Sequence, residues 1–241
     1  MKPSVESRGT KLCMVTAYTE NPKYTTNPDF GKMARFTAEI NQRYCLQHGY
    51  GFRLYNEGFA EDRHPSWSKL LFVQDALRSY PWVMWIDTDA LVTNFTIKAE
   101  KFIDNDYMLV MAKQAWGLPP WYLINFGVFL ASNDPAFAKF VKAVWDDISR
   151  EGREGWEQDG VRQVIQKQPF KSMTKIMCRR GFNSLIYHES FHLNQFSMET
   201  ETWHRGDFIA HYGWRHPNIL ADMQAMWKDV CNAATKDGIY L

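Results

Sequence analysis

The apolar positions of this chain fall into short blocks separated by stretches of helical spacing. Five consecutive apolar residues, Trp82 to Ile86, read as a strand buried on both faces, because a half-solvated strand would alternate apolar with polar. Apolar blocks at Leu12–Ala17, 107–112 and 123–131 predict further strands, and "YGFRLYNE" and "DFIAHY" predict two more. Between them Met33, Phe36, Ile40 and Tyr44 recur at helical intervals, with His48 in the last turn and Gly49 as the stop. "HPSWSKLLFVQDALRSYP" predicts a helix from near Pro65 to Pro81, with Leu70, Leu71 and Leu77 facing inward. Asp134 and Pro135 make a capped start for the cleanest stripe in the chain: Phe137, Phe140, Val141, Val144, Trp145 and Ile148. A shorter helix is expected after "EQDG", and Ile219, Met223, Met226, Trp227 and Val230 predict a closing one. Strands alternating with helices imply an α/β fold, a Rossmann-like, mostly parallel sheet flanked by helices. Without repeats or low-complexity linkers, residues 1–241 read as a single domain, with 1–10 a flexible N-terminal segment.

The Trp82–Ile86 block ends in Asp87-Thr88-Asp89. In an α/β sheet, ligands lie beyond the carboxyl ends of strands, which is where this pair falls. Along a strand residues i and i+2 point the same way, so the two aspartates are expected on one side with Thr88 opposite, their Cα atoms about 6.5 Å apart. Carboxylates so close repel unless a cation lies between them. The same D-x-D pattern at Asp104 and Asp106 has no apolar run before it and reads as a polar turn. Two carboxylates are hard oxygen donors, so the first pair suits Mn²⁺ or Mg²⁺, which keep open positions for phosphate oxygens. The chain has neither a Walker-type GxxxxGK[ST] nor a GxGxxG after its first strand, so a diphosphate would be met by metal and a few cations.

Composition narrows the classes further. A formal net charge of +1 argues against a non-specific nucleic-acid binder, which carries a marked basic excess. Aromatics make up 15% of the residues, enough for a core and for rings that stack on bases or sugar faces. Cys13, Cys45, Cys178 and Cys231 form no CxxC pair, so buried thiols are expected, although Cys13 and Cys45 could meet in space. No apolar stretch reaches the roughly 20 residues of a membrane span, and "MKPSVESRGTK" has no signal-type core. A cytoplasmic location is expected, unless an anchor has been removed. Asn94-Phe95-Thr96 is a formal glycosylation triplet of a kind that also arises by chance.

"WSKLLFVQDALRSYPWVMWIDTDALVTN", "NFGVFLASN", "EQDG" and "FIAHYGWRH", in that order, resemble the landmarks of a glycosyltransferase family. That family holds fungal α-1,2-galactosyl- and α-1,6-mannosyltransferases and plant xyloglucan xylosyltransferases, and "YCLQHGYGFRLY" is similar to its segment after the first helix. The resemblance covers residues 12–227. It implies a GT-A fold, Mn²⁺ (or Mg²⁺), a nucleotide-sugar donor (UDP-sugar first, GDP-sugar second), a glycan acceptor and transfer with retention. Members are usually anchored in the Golgi.

By that resemblance Asp87 and Asp89 hold the metal or the neighbouring ribose, and His211 resembles the C-terminal metal-ligating histidine. The alternative for His211 is a core histidine bonded to backbone, and His204 and His216 are the other candidates. Thr16, Ala17 and Tyr18 close the first strand, where the fold receives the nucleobase; Thr88 joins them in the donor-binding set. Lys69 either reaches the diphosphate or is a solvated helix lysine. Asn125 precedes Gly127 in a buried strand, where a glycine suggests close approach by another group and an amide needs a partner; it is expected to touch a sugar. Gln158 and Asp159 are placed near the anomeric carbon, unless Asp159 only caps its helix. The reading is thus a metal-dependent retaining glycosyltransferase. Its rivals are an inverting enzyme on the same fold and a sugar- or nucleotide-binding module without turnover. A metal-dependent phosphodiesterase would need more clustered carboxylates and histidines than the sequence offers.

Overall fold

A computed structural model describes residues 4–5, 11–25, 27–113, 124–147, 156–186, 200–213 and 218–236. Its strands are β1 (Ser4–Val5), β2 (Leu12–Ala17), β3 (Gly51–Tyr55), β4 (Trp82–Ile86), β5 (Ala90–Val92), β6 (Leu109–Lys113), β7 (Ile124–Ser132), β8 (Thr174–Met177), β9 (Ser184–Leu185) and β10 (Ile209–His211). The helices are α1 (Phe30–His48), α2 (Ser68–Ala76), α3 (Pro135–Trp145), α4 (Trp156–Val164) and α5 (Ile219–Lys236). Seven strands form the central sheet in the order β1-β3-β2-β4-β7-β6-β8. β3, β2, β4, β6 and β8 point one way, and β1 and β7 run against them. β1 lies within the segment expected to be flexible, and it pairs with β3 at Ser4↔Arg53 and Val5↔Phe52. The late strand, β10, does not join this sheet but forms a second one, β5-β10-β9.

β4 shows why its residues are all apolar. Trp82, Met84 and Ile86 pack into the core shared with α1, α5 and the small sheet, while Val83 and Trp85 pack into the core under α2, α3 and α4. The strand lies between two helical layers, so both of its period-2 faces are buried. Cys13 and Cys45 belong to these two different cores, and all four cysteines are free thiols.

Local signals set the helix ends. Gly49 takes a left-handed φ of 69° and donates its N–H to Cys45 O and Leu46 O, closing α1. Asp134 accepts from Ala136 N at 2.7 Å with Pro135 in the first turn of α3. Phe137, Phe140, Val141 and Val144 are buried there, each contributing at most about 1.5–3 kcal/mol. Trp145 packs partly buried, and Ile148 lies outside the described residues. The helix expected from Pro65 differs in its start. Pro65–Trp67 is a 3₁₀ turn with the His64 side chain accepting from Ser66 N, and α2 proper begins at Ser68. The tighter turn rotates the following face, so Phe72 and Val73 are buried beside Leu70 while Leu71 is only half-buried. "EQDG" does not precede its helix: α4 begins at Trp156 and contains it.

Candidate metal and donor site

β4 stops at Ile86, and the two aspartates sit in the turn that follows rather than on a continued strand. Asp87 N still donates to Gly127 O on β7 at 2.8 Å, then Ala90 N closes back onto Asp87 O at 3.1 Å and β5 begins. The small sheet delivers the third group. β10 pairs antiparallel with β5 so that His211 lies opposite Ala90, and Tyr212 N donates to Asp89 O at 2.9 Å. Ligand atoms of Asp87, Asp89 and His211 consequently lie within 4.8 Å of one another, with His211 Nε2 3.3 Å from Asp89 Oδ1.

β7 supplies the floor. Opposite β6 its register jumps: Met111 pairs with Phe129, but Ala112 pairs with Asn125, leaving residues 126–128 as a bulge. Gly127 sits in that bulge, directly under the triad. A Cβ there would lie 2.4 Å from His211 Cε1 and 2.9 Å from Asp87 Oδ2. The close approach expected of this glycine is therefore to the side chains of Asp87 and His211.

The cation facing the acidic pair is an ammonium. Lys69 Nζ lies 3.1 Å from Asp87 Oδ1, 2.8 Å from Glu157 Oε1 and 3.1 Å from Phe126 O, and the residue is 5% exposed. Burial opposes its charge, but Asp87 and Glu157 outweigh burial and hold its pKa above the ordinary lysine value. Lys69 is accordingly neither solvated nor free to extend; it is fixed between two carboxylates. Trp85 Nε1 donates to Asp87 Oδ1 at 2.6 Å. Burial raises the Asp87 pKa, with Lys69 opposing and Asp89 adding to the effect, whereas at Asp89 the effect of burial is overcome by the neighbouring His211 and the pKa falls. Asp87 and Glu157 flank one ammonium and Asp89 lies beside Asp87, so the three carboxylates are short of positive charge by about as much as a divalent ion supplies. Two carboxylates and an imidazole form the mixed O/N donor set that Mn²⁺ or Mg²⁺ accepts. The residues fit such an ion.

A cavity of about 370 Å³ opens above the acids. Ala17, Tyr18, Thr88, Lys69, Asp87 and Asp89 line it, and Tyr24, Phe30 and Phe59 add flat apolar walls. Other expected residues fall elsewhere. Thr16 is buried at 2% exposure and is not on the cavity wall, because alternate β2 side chains turn into the sheet. Asn125 is occupied within the protein: its Oδ1 accepts from Gly127 N at 3.0 Å and from Asn183 Nδ2 at 2.7 Å. Gln158 Oε1 accepts from Phe126 N at 2.8 Å, tying α4 to the bulge. Asp159 neither caps α4 nor lines the cavity; it pairs with Arg162 at 3.1 Å along the helix. His204 contacts Thr202 O through Nδ1 at the surface, away from the triad, and His216 lies outside the described residues. Asp104 accepts from Asp106 N and pairs with Lys175 at 2.7 Å, the polar turn expected of it.

Sequence reasoning missed Glu157, Asn183 and Trp85. Glu157 stands one residue before Gln158, and helical rotation turns that residue to the cavity. Asn183 bonds both Asn125 and His211, and no periodic pattern marks it. Trp85 looks like ordinary core until its indole N–H is followed to Asp87.

Comparison with known proteins agrees with this geometry. Residues 9–115 match the family described as galactosyl transferase GMA12/MNN10. A probable glycosyltransferase 6 of Oryza sativa is 33% identical over 164 residues, covering 58% of this chain and 34% of its own length. A probable α-1,2-galactosyltransferase of Schizosaccharomyces pombe is 25% identical over 201 residues, covering 68% of this chain and 58% of its own. The chain thus spans about a third to somewhat over half of these curated relatives. Among solved structures, a glycosyltransferase involved in glycosylating the major capsid of PBCV-1 superposes with a TM-score of 0.63 at 18% identity, covering 91% of this chain and 100% of its own. The galactosyltransferase LgtC, in complex with donor and acceptor sugar analogs, gives 0.53 at 12%, covering 92% and 95%. At these identities the structures speak for the fold, which is GT-A. Over residues 9–115 the chain is thus similar to the GMA12/MNN10 galactosyl transferase family, and its fold is that of GT-A glycosyltransferases.

Proposed function

We propose that this protein transfers a hexose or pentose from a nucleotide-diphosphate sugar, a UDP-sugar first, to a hydroxyl of a glycan acceptor. The observation that carries the reading is the convergence of Asp87, Asp89 and His211, the two aspartates lining an aromatic-walled cavity. Asp87, Asp89 and His211 would hold Mn²⁺ or Mg²⁺, which when bound offsets charge on a departing diphosphate. The chain's own residues do the rest. Tyr18 and the aromatic walls would receive a base, and Thr88, buried at the cavity edge, keeps the acidic turn in place through its carbonyl, which accepts from Thr37 Oγ1 at 3.0 Å. Lys69 sets a positive charge against Asp87 that partly offsets its burial. Glu157 lines the cavity from α4, and its carboxylate would support positive charge on a sugar ring. Retention of configuration is proposed on the family resemblance, with an inverting reaction as the alternative.

The test is turnover of nucleotide sugars by the purified chain, with and without metal. EDTA should abolish transfer and Mn²⁺ restore it. Asp89→Ala should remove most activity in a folded protein, and Asp104→Ala should be nearly silent. Full activity without divalent ions would refute the metal site. Proton NMR of the first-formed product decides the stereochemistry: an α-linked product from an α-linked donor means retention.

A further inference from the structure

Resting on the reading of Asp87, Asp89 and His211 as a metal site, we infer that Asn183 is a positioning residue that fixes the tautomer of His211, keeping the proton on Nδ1 and turning the bare Nε2 toward the two carboxylates. One backbone N–H sets the polarity of the whole chain of contacts. Gly127 N, which can only donate, lies 3.0 Å from the Asn125 side chain, so that atom is the amide oxygen. The same oxygen lies 2.7 Å from Asn183, which must therefore present its NH₂. The other end of the Asn183 amide, its oxygen, faces His211 Nδ1 at 2.9 Å. An amide oxygen only accepts, so Nδ1 carries the hydrogen. A neutral imidazole has one N–H, and Nε2 is left as a lone pair 3.3 Å from Asp89 Oδ1.

Nothing near this relay lets it relax. Asn183 is 0% exposed, and its backbone is clasped by Arg179 in both directions: Asn183 N donates to Arg179 O at 2.9 Å, and Arg179 Nε donates to Asn183 O at 2.9 Å. His211 is 4% exposed. A core histidine serving stability alone would point its second nitrogen at a donor or at solvent. Here the lone pair faces two carboxylates, an unfavourable arrangement that a cation between them reverses. The partner of the ligating imidazole is a neutral amide held by a second amide, which is held by the strand bulge that also makes room for the ring.

The test reads the tautomer directly. The full chain, ¹⁵N-labelled and metal-free, is examined by long-range ¹H–¹⁵N correlation at mildly alkaline pH. The spectrum of His211→Gln identifies the His211 signals among the seven histidines. Wild type should show a protonated Nδ1 and a bare Nε2. Asn183→Leu should shift His211 toward the Nε2–H form and weaken Mn²⁺ binding, followed by electron paramagnetic resonance, about 10–100-fold. Asn183→Asp keeps an acceptor opposite Nδ1 and should keep the tautomer. A wild-type protein with its proton on Nε2 overturns the inference, as does a folded Asn183→Leu with unchanged tautomer and Mn²⁺ affinity. If Asn183→Leu does not fold, the wild-type spectrum alone decides. Absence of Mn²⁺ binding by wild type would overturn the metal-site reading separately, since the tautomer is read without metal or substrate.

Discussion

Gly127→Ala is the smallest change that tests the floor of the site. The added Cβ would lie 2.4 Å from His211 Cε1, 2.9 Å from Asp87 Oδ2 and 3.1 Å from His211 Nε2. Unbonded carbons rest about 3.5–4.0 Å apart, so the ring must withdraw by roughly 1 Å. Neither neighbour can yield easily. The ring is bonded to Asn183, and Asp87 is held by Trp85 and Lys69. Overpacking of this kind costs about 1–3 kcal/mol, and each kcal/mol lowers Tm by about 2–4 °C in a domain of this size. The effect on binding should exceed the effect on folding, because metal–ligand distances tolerate only about ±0.2 Å. We expect a folded variant, Tm lowered by several degrees, with Mn²⁺ affinity reduced at least about tenfold. Mn²⁺ titration followed by electron paramagnetic resonance, together with thermal unfolding of the same sample, measures both. A variant that binds Mn²⁺ like wild type would refute the proposed placement of the triad over this glycine.

Other perturbations separate structure from chemistry. Lys69→Met leaves Asp87 and Glu157 without their buried ammonium and should cost about 3–5 kcal/mol in urea unfolding, part of it regained by adding Glu157→Gln; an unchanged midpoint would contradict the ion-pair geometry. Gln158→Ala strands the Phe126 N–H and should destabilise by about 1–3 kcal/mol, while Asp159→Ala loses only a partly exposed pair with Arg162 worth less than about 1 kcal/mol. Equal losses from the two would undercut the assignment. Burial pushes the Tyr55 pKa from 10.0 to about 12, its hydroxyl donating to Asp75 at 2.7 Å. The folded state then holds this proton more tightly than the unfolded one, so stability should fall as pH rises from 10 toward 12. Tyr55→Phe should flatten that fall in urea unfolding followed across the window.

What could be read from the sequence was whatever a short pattern encodes. β4 announced itself because a strand between two helical layers has no polar face, and α3 because Asp134, Pro135 and a clean apolar stripe agree. The acidic pair was legible because it follows that strand, and the same logic set Asp104 and Asp106 aside. What escaped depended on contacts across the chain. Gln158 and Asp159 were given to the reacting carbon, yet helical rotation turns Glu157 to the cavity, and neither composition nor spacing fixes that phase. Lys69 reads from the sequence as either a diphosphate contact or a solvated helix lysine, because its partners lie 18 and 88 positions away at Asp87 and Glu157. Asn183 sits in an irregular stretch before β9, where no periodicity exists to be broken.

The bulge in β7 also gives the molecule a built-in reporter. Phe126 and Gly127 lie where β7 departs from its register with β6, and their N–H groups are held by the side chains of Gln158 and Asn125. Their amide hydrogens should therefore exchange with solvent deuterium when those side chains let go, whereas amides farther along β7, such as Leu130, exchange only as the sheet itself opens. Exchange at Phe126 thus times the detachment of α4, and exchange at Gly127 times the loosening of the amide pair behind His211. Two neighbouring probes report on two walls of one cavity, and their rates can be followed without any turnover at all.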